Sequence, residues 1–303
     1  MSDICNSIIV MHTLVFYLSY PFIWLFSKLP FRVLYGISDI FFFLVFHVFG
    51  YRKQVVLQNL RLVYPSKSDL ELKKIRKQFF KHFVDTLIEA IKAITISKES
   101  IQKRYQYENI ELIDDLYASG KSIILTGSHY GNWEWVVGMP LHTQIDCYTS
   151  YTKIQNKNFE RLIKNSRSKF GMTCLKSSEI IKGVVSNVKQ QKQGLYLLVS
   201  DQSPMLHKTL YWSKFLNVKV PIFIGAETIA KKFDFAVVNM NTSKVKRGHY
   251  ISEFELITDS ATALEKHEIT ETYLRITEAH IHKNPVFYLW SHKRFKHKDK
   301  APN

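Results

Sequence analysis

The stretch KSIILTGSHYGNWEW, residues 121–135, joins an apolar run to a polar turn and gives the clearest indication of the fold. Its first half is a short apolar run that ends at Gly127, the pattern of a strand buried on both faces of a sheet. A polar turn follows directly, and it carries His129 and, five positions later, Glu134. Open α/β sheets bind their ligands beyond the carboxyl ends of the strands. The stretch therefore predicts a buried strand with functional groups at its end.

Similar apolar runs and helical stretches alternate along the rest of the chain. Strands are predicted over 143–151, 171–176, 194–200, 235–241 and 250–257, and helices over 133–139, 155–170, 178–192, 221–232 and 262–283. Pro221 suits a first helical position, and a serine before Asp69 suits a helix cap. Strands that alternate with helices indicate a layered α/β domain.

The amino-terminal region is strongly apolar. No charged side chain occurs from Cys5 to Ser27, and about 20 apolar residues are enough for a helix to cross a bilayer. Lys28 and Arg32 follow this run. The positive-inside tendency then places the downstream end in the cytoplasm.

A second apolar run extends from Val33 to Tyr51 and is interrupted by Asp39 and His47. It is predicted to lie in the membrane interface or to insert partly. A pair of buried core helices is the alternative for the two runs. We predict that residues 1–51 anchor the chain to a membrane and that residues 52–303 form one α/β domain.

The chain is also strongly basic. Its 303 residues include 42 Lys and Arg against 26 Asp and Glu, a formal net charge of +16. This charge favours anionic partners such as phospholipid headgroups, phosphorylated substrates, an acidic carrier protein or nucleic acid. Cys5, Cys147 and Cys174 lie at no metal-ligand spacing and are expected to be free thiols. The sequence has no metal or nucleotide motif, so neither a metal nor a cofactor is predicted.

His129 and Glu134 together suit general-base chemistry. Glu134 is expected in the first turn of a helix that begins near Asn132 or Trp133, from where its carboxylate can reach His129. Such a contact fixes the imidazole tautomer and stabilises the imidazolium, so the other ring nitrogen can take a proton from a hydroxyl. Ser128 does not fit the nucleophile-elbow pattern, which needs glycines two positions before and after the serine. A capped turn with a surface carboxylate is the alternative.

Five segments of the chain, in order, resemble the bacterial lipid A biosynthesis acyltransferases. GSHYGNWEW resembles the HX4E form of their HX4(D/E) motif. The other segments are LQNLRLVYPSKS (57–68), NKNFERLIKNSRSKFG (156–171), SDQSP (200–204) with FLNVKVPIFIGAETIAKK (215–232), and NPVFYLWSHKRFK (284–296). The chain departs from the pattern at Gln202, Ser203 and Pro204, where the family often has an aspartate and a glycine.

The resemblance implies a mixed sheet flanked by helices, as in glycerolipid-type acyltransferases, and a membrane-bound O-acyltransferase activity. An acyl carrier protein thioester would donate the acyl chain, and a hydroxyl of a lipid A precursor would accept it. His129 would be the general base, oriented by Glu134. The enzyme would lie at the inner membrane with its catalytic domain on the cytoplasmic face.

The matched segments also imply groups that bind the oxyanion or the substrate. Arg167 and Arg161 could each supply a guanidinium, and a backbone N–H near Gly131 or Asn132 could supply a second donor. The side chain of Asn132 suits a helix cap equally well. Asp201 follows a predicted strand and is expected at the same sheet edge as the histidine, where it would either place the substrate or cap a turn.

The residues of this chain distinguish three classes of function. A membrane-bound acyltransferase is favoured, with a lysophospholipid, aminolipid or glycolipid as the alternative acceptor, because related sequences can acylate other lipids. A non-catalytic lipid-binding protein would not need both His129 and Glu134. A nucleic-acid-binding protein would not explain the apolar amino terminus, so no nucleic acid partner is expected.

Overall fold

The structure is a computed structural model that describes the backbone of residues 2–301 and the side chains of residues 11–301. Its α-helices are α1 (Ser2–Lys28), α2 (Phe31–Phe43), α3 (Lys53–Val63), α4 (Asp69–Lys92), α5 (Lys98–Arg104), α6 (Glu111–Ala118), α7 (Lys157–Ser168), α8 (Ile180–Lys189), α9 (Gly225–Phe233) and α10 (Glu268–Lys283). Its strands are β1 (Tyr105–Glu108), β2 (Ile123–Gly127), β3 (Cys147–Tyr151), β4 (Thr173–Lys176), β5 (Leu195–Val199), β6 (Tyr211–Phe215), β7 (Val218–Ile222), β8 (Ala236–Lys246) and β9 (His249–Thr258).

Seven of these strands form one mixed sheet in the order β1-β9-β8-β2-β5-β3-β4. The central strand β2 pairs in parallel with β5 on one side and β8 on the other. β9 runs antiparallel to β8, while β6 and β7 form a separate antiparallel hairpin. The predicted α/β class, with a mixed sheet flanked by helices, is confirmed.

Helices and turns cover both faces of β2. Ile123 and Leu125 pack in one apolar cluster with Trp135, whereas Ile124 packs in another with Val184 of α8. All three isoleucine and leucine side chains are 0% exposed. This two-sided burial explains why β2 appears in the sequence as a continuous apolar run rather than an alternating one.

Several predicted elements differ in the structure. The prediction that Pro221 opens a helix is wrong: it lies in β7 opposite Trp212 of β6, and α9 begins only at Gly225. A two-stranded hairpin tolerates proline because an edge strand leaves some N–H groups unpaired. β1, β6 and β7 were not predicted, and the helix expected over 133–139 is a 3₁₀-helix, Trp135–Leu141, that contains Pro140.

Two smaller expectations are met. Ser68 caps α4: its hydroxyl accepts a hydrogen bond from the backbone of Glu71, whose carboxylate accepts one from the Ser68 backbone. Cys147 and Cys174 are buried free thiols, while Cys5 lies outside the described side chains.

The amino-terminal helices pack against α4 and leave much apolar surface exposed. Leu34 of α2 is buried against Val84 and Ile88 of α4, but Phe22 is 75% exposed and Phe49 is 74% exposed.

Among the described residues, one segment is long and apolar enough to cross a membrane: Phe31–Val48, which comprises α2 and a π-helix, Leu44–Val48. This segment lies within the second apolar run, which was predicted to lie in the membrane interface or to insert partly. The first run forms α1, and the side chains of its first residues, 5–10, lie outside those described.

Asn59 of α3 joins the amino-terminal half of the chain to its carboxyl end. Its amide nitrogen donates hydrogen bonds of 2.9 Å to the carbonyl oxygens of both Trp290 and His292. Asn59→Ala leaves these buried acceptors without their donor, so we expect the free energy of unfolding to fall by about 1–3 kcal/mol. Denaturant unfolding of the purified protein measures this change.

The matched control is Gln58→Ala, which changes the neighbouring, exposed residue of the same helix. It should alter the free energy of unfolding by less than about 0.5 kcal/mol. Equal losses from the two substitutions would contradict the anchoring role of Asn59.

Candidate active site

The register between β2 and β5 brings His129 and Asp201 together. Gly127 and Val199 are partners at the carboxyl ends of these parallel strands. His129 and Asp201 each lie two residues beyond that pair, so both chains leave the sheet side by side. The site therefore forms at the carboxyl ends of the parallel strands, where open α/β sheets bind their ligands.

Asp201 holds His129 through two hydrogen bonds. Its Oδ1 lies 2.7 Å from Nδ1 of His129, and its Oδ2 accepts a hydrogen bond of 3.0 Å from the His129 backbone. The Asp201 side chain is 1% exposed and that of His129 is 21% exposed. A buried carboxylate accepts and cannot donate, so Nδ1 carries the hydrogen and Nε2 carries the lone pair.

The amide nitrogen of Gln202 lies 3.1 Å from Nε2 of His129. It can donate to the lone pair there, in the position that a substrate hydroxyl would occupy. The tautomer of His129 is thus consistent at both ring nitrogens. A histidine in this arrangement can act as a general base through Nε2.

Contact between His129 and Asp201 also shifts the pKa of each side chain. Burial lowers the pKa of His129, but the charge and hydrogen bond of Asp201, together with the charge of Glu134, outweigh burial and raise the pKa above its ordinary value. Burial alone would raise the pKa of Asp201, but contact with His129 and the charge of Arg294 hold that pKa below its usual range. The carboxylate therefore stays ionised beside the imidazole.

Glu134 has a different partner from the predicted one. Its carboxylate accepts hydrogen bonds from Arg167 of α7, with Nη2 at 2.9 Å from both oxygens and Nε at 3.3 Å from one. The sequence predicted that Glu134 orients His129, whereas the structure places Asp201 at Nδ1. The reason is the turn after Asn132, which aims Glu134 at α7. Glu134 still acts on His129 through its charge.

Asn132 is buried and acts as a cap. Its side-chain oxygen accepts hydrogen bonds from the backbone N–H groups of Glu134 (3.1 Å) and Trp135 (3.0 Å). Its amide nitrogen donates to Glu89 at 2.7 Å. The structure thus supports the capping interpretation of this side chain over an oxyanion contact. The backbone N–H of Gly131 is also engaged, because it donates to the carbonyl of Phe287 at 3.1 Å.

The two predicted arginines lie in different surroundings. Arg167 contacts Glu134, whereas Arg161 is exposed on α7. Six residues separate them, which is about 9 Å along a helix. Among the residues with described side chains, no group of three or more His, Cys, Asp or Glu is placed to hold a metal ion.

Two residues beside Asp201 were given no role from the sequence. Gln202 directly follows it, at a position where the chain departs from the family pattern. Arg294 is 1% exposed and donates a hydrogen bond of 3.0 Å to the carbonyl of Pro221. Arg294 lies in a matched segment, but only the folded chain brings that segment beside β5.

A histidine oriented by a buried carboxylate, beside an arginine–glutamate pair at a sheet edge, defines the site of a general-base transferase or hydrolase. Comparison with known proteins narrows this class. A model of the family "Bacterial lipid A biosynthesis acyltransferase" matches residues 6–297. The chain belongs to this family, and it is an acyltransferase. The resemblance drawn from the five sequence segments is confirmed.

Two relatives carry related names. The chain is 27% identical to the lipid A biosynthesis acyltransferase of Haemophilus influenzae over 143 residues, which cover 46% of this chain and 44% of that protein. It is 22% identical to the lipid A biosynthesis lauroyltransferase of Escherichia coli K12 over 275 residues, which cover 90% of this chain and 89% of that protein. The first alignment thus spans less than half of the Haemophilus protein.

The pKa of His129 can be measured without any substrate. We expect NMR of the imidazole carbons to show His129 titrating above the ordinary value for histidine, because Asp201 stabilises the imidazolium. This stabilisation is present at low pH and is lost as the pH rises through the raised pKa. Asp201→Asn removes the charge but keeps the shape, so the pKa of His129 should fall.

His292 is the internal control, because burial lowers its pKa to about 4. It should stay neutral from roughly pH 6 to 8 in both proteins. An unchanged pKa of His129 in Asp201→Asn would show that the carboxylate does not control the imidazole.

Proposed function

We propose that the protein transfers a fatty acyl chain from an acyl carrier protein thioester to a hydroxyl of a lipid A precursor. This is a secondary acylation in lipopolysaccharide biosynthesis. The hydrogen bond of 2.7 Å between Nδ1 of His129 and Asp201 carries the proposal, because it leaves the lone pair of the imidazole on Nε2, where a base needs it. The family supports the lipid class of the acceptor.

In the proposed reaction, Nε2 of His129 removes the proton of the acceptor hydroxyl while that oxygen attacks the thioester carbonyl. The hydroxyl takes the place of the Gln202 amide at Nε2. Asp201 keeps the imidazole in one tautomer and stabilises the imidazolium that forms. When the tetrahedral intermediate collapses, the C–S bond breaks and the imidazolium returns its proton to the leaving thiolate. The products are an ester and a free thiol.

Arg167 is the proposed oxyanion donor. Its side chain is 27% exposed, and Glu134 binds it through Nε and Nη2, so Nη1 is not used in that pair. A guanidinium fixed in this way can direct its remaining N–H groups at the negative oxygen of the intermediate. Glu134 would then position Arg167 and add to the charge that raises the pKa of His129.

The proposed location is the inner membrane, with the catalytic domain, residues 52–303, on the cytoplasmic face. Residues 1–51 would form the anchor. The apolar segment Phe31–Val48 supports an anchor. Lys28 and Arg32 follow the first apolar run, so the positive-inside tendency places the downstream end of that run in the cytoplasm. The net charge of +16 suits both an acidic carrier protein and anionic lipids.

The direct test incubates membranes that contain the protein with an acyl carrier protein thioester and a tetra-acylated lipid A precursor. Mass spectrometry should show that the wild type adds one acyl chain. His129→Ala removes the base and should abolish the addition, and Asp201→Asn should lower kcat by roughly 10²–10⁴-fold, as loss of an orienting aspartate does in other folds. His282→Ala, an exposed histidine of α10, should keep full activity.

Parallel reactions with lysophospholipid, aminolipid and glycolipid acceptors test the acceptor. Transfer to one of these and not to the lipid A precursor would replace the proposed acceptor. Full activity of His129→Ala would overturn the mechanism.

Arg167 and Arg161 offer a matched pair on one helix. Arg167→Ala removes the proposed oxyanion donor, and we expect kcat to fall by roughly 10²-fold or more. Arg161→Ala should change kcat by less than about threefold, because this side chain is exposed and lies about two turns away. Steady-state kinetics on both acyl donor and acceptor measure the effects. A comparable loss in Arg161→Ala would instead support substrate binding by both arginines, as the sequence suggested.

A further inference from the structure

Glu89, near the carboxyl end of α4, is a buried carboxylate that the mechanism above does not use. It is 1% exposed, and three neutral groups donate hydrogen bonds to it. Tyr35 binds Oε1 at 2.7 Å, while Asn132 at 2.7 Å and Tyr250 at 2.8 Å bind Oε2. Burial raises the pKa of Glu89 to about 7, against the lowering effect of the two tyrosine hydroxyls. A buried carboxylate held by neutral donors costs stability relative to a neutral side chain.

The carboxylate determines how the Asn132 amide is oriented. Both tyrosine hydroxyls also donate to this carboxylate, so it acts as an acceptor and the NH₂ group of Asn132 faces it. The amide oxygen must then face the opposite way, where it accepts from the N–H groups of Glu134 and Trp135. A glutamine at position 89 could present either an acceptor or a donor, so the orientation of the Asn132 amide would be fixed only by the two backbone N–H groups.

α4 holds the same turn at two further points. The indole nitrogen of Trp135 donates a hydrogen bond of 3.0 Å to the backbone carbonyl of Glu89. About two turns earlier in α4, Nε2 of His82 lies 3.1 Å from the carbonyl oxygen of Gly131. Burial lowers the pKa of His82 to about 3, so a neutral imidazole donates there. α4 therefore forms hydrogen bonds with Gly131, Asn132 and Trp135.

These hydrogen bonds from α4 hold the turn that carries His129 and Glu134. His129 and Glu134 lie within two residues of the held residues in the sequence, and the ring of Trp133 packs against that of His129 with centroids 5.4 Å apart. A shift of Asn132 would move the backbone of Glu134 and the ring that supports His129. Misplacement of about 1 Å at a reacting group can cost roughly 10²-fold in rate.

We propose that Glu89 is a positioning residue, which fixes the amide of Asn132 and so holds the turn 129–135 in the geometry that presents His129 and Glu134 to the substrate. The proposal rests on the proposed function for its kinetic consequence. Glu89 also connects the turn to α2 through Tyr35. The apolar segment Phe31–Val48 is thus linked to the turn through Glu89, and also through the ring of Phe31, which packs against that of Trp135 with centroids 5.9 Å apart.

Three variants of the full-length protein test this role. Glu89→Gln keeps the side-chain volume but removes the obligatory acceptor. The double exchange Glu89→Gln with Asn132→Asp restores complementarity, because the new amide can donate to a carboxylate that still accepts from Glu134 and Trp135. Tyr250→Phe is the matched control: it removes an equally buried hydrogen bond to the same carboxylate and leaves the contact with Asn132 in place.

We expect Glu89→Gln to lower kcat by roughly 10- to 100-fold with KM changed by less than about twofold. Hydrogen–deuterium exchange of the peptide 128–141 should become faster in this variant. Tyr250→Phe should lower the melting temperature but leave kcat and the exchange of this peptide near wild type. The double exchange should recover most of the lost kcat and protection.

Wild-type kcat and wild-type exchange in Glu89→Gln would overturn the proposal. So would equal losses in Tyr250→Phe, or a double exchange no better than Glu89→Gln alone, because either result would indicate a general effect on stability. The exchange measurement needs no substrate. If the wild type transfers no acyl chain to any lipid, only the proposed function falls, and exchange of 128–141 still decides whether Glu89 holds the turn.

Discussion

The parallel pairing of β2 with β5 is the constraint on which the site depends. Gly127 lies opposite Val199, and the same two-residue extension beyond each strand places the imidazole of His129 against the carboxylate of Asp201. A slip of one residue would turn every side chain of β2 to the opposite face of the sheet. Because both faces are packed, burial in the core fixes the register, and the register in turn fixes the 2.7 Å contact.

The turn that carries the histidine is held from two sides. On one side, Glu89 and His82 of α4 form hydrogen bonds with Asn132 and Gly131. The carboxyl-terminal segment binds the turn from the side, where the backbone N–H of Leu289 donates to the carbonyl of His129 at 3.1 Å. Asn59 in turn holds that segment. Groups distant in the sequence thus converge on one short turn, and such a supporting shell keeps reactive side chains in a narrow range of positions.

The site uses two carboxylates in two environments. Asp201 is buried, and its pKa is held below the usual range by the histidine and by Arg294. Glu134 is about a quarter exposed and is bound to Arg167. The buried group therefore controls the tautomer and charge of the imidazole, while the exposed group controls the position of a cation at the rim. Their different burial makes this division possible, because a charge acts more strongly where water is excluded.

The sequence by itself determined the features that depend on local pattern. An apolar run before a polar turn identified β2 and placed His129 at its end, a serine identified the cap of α4, and five ordered segments identified the family. Alternating strands and helices were sufficient for the α/β class, although short strands such as β1, with four residues, carry too little pattern to be recognised.

Only the tertiary structure decided which groups meet. Asp201 is 72 residues from His129, and no local pattern states that β5 is the neighbour of β2. The nearer carboxylate, Glu134, was the predicted partner, but the cap at Asn132 directs it to Arg167 instead. Whether an arginine of α7 faces the site or the solvent, and whether Pro221 opens a helix or lies in a hairpin, likewise depends on what packs beside it. Contacts between distant segments follow from the packing of the whole core. For this reason the residue pattern predicted the fold class and the position of His129 at the end of β2, but not the contact of His129 with Asp201.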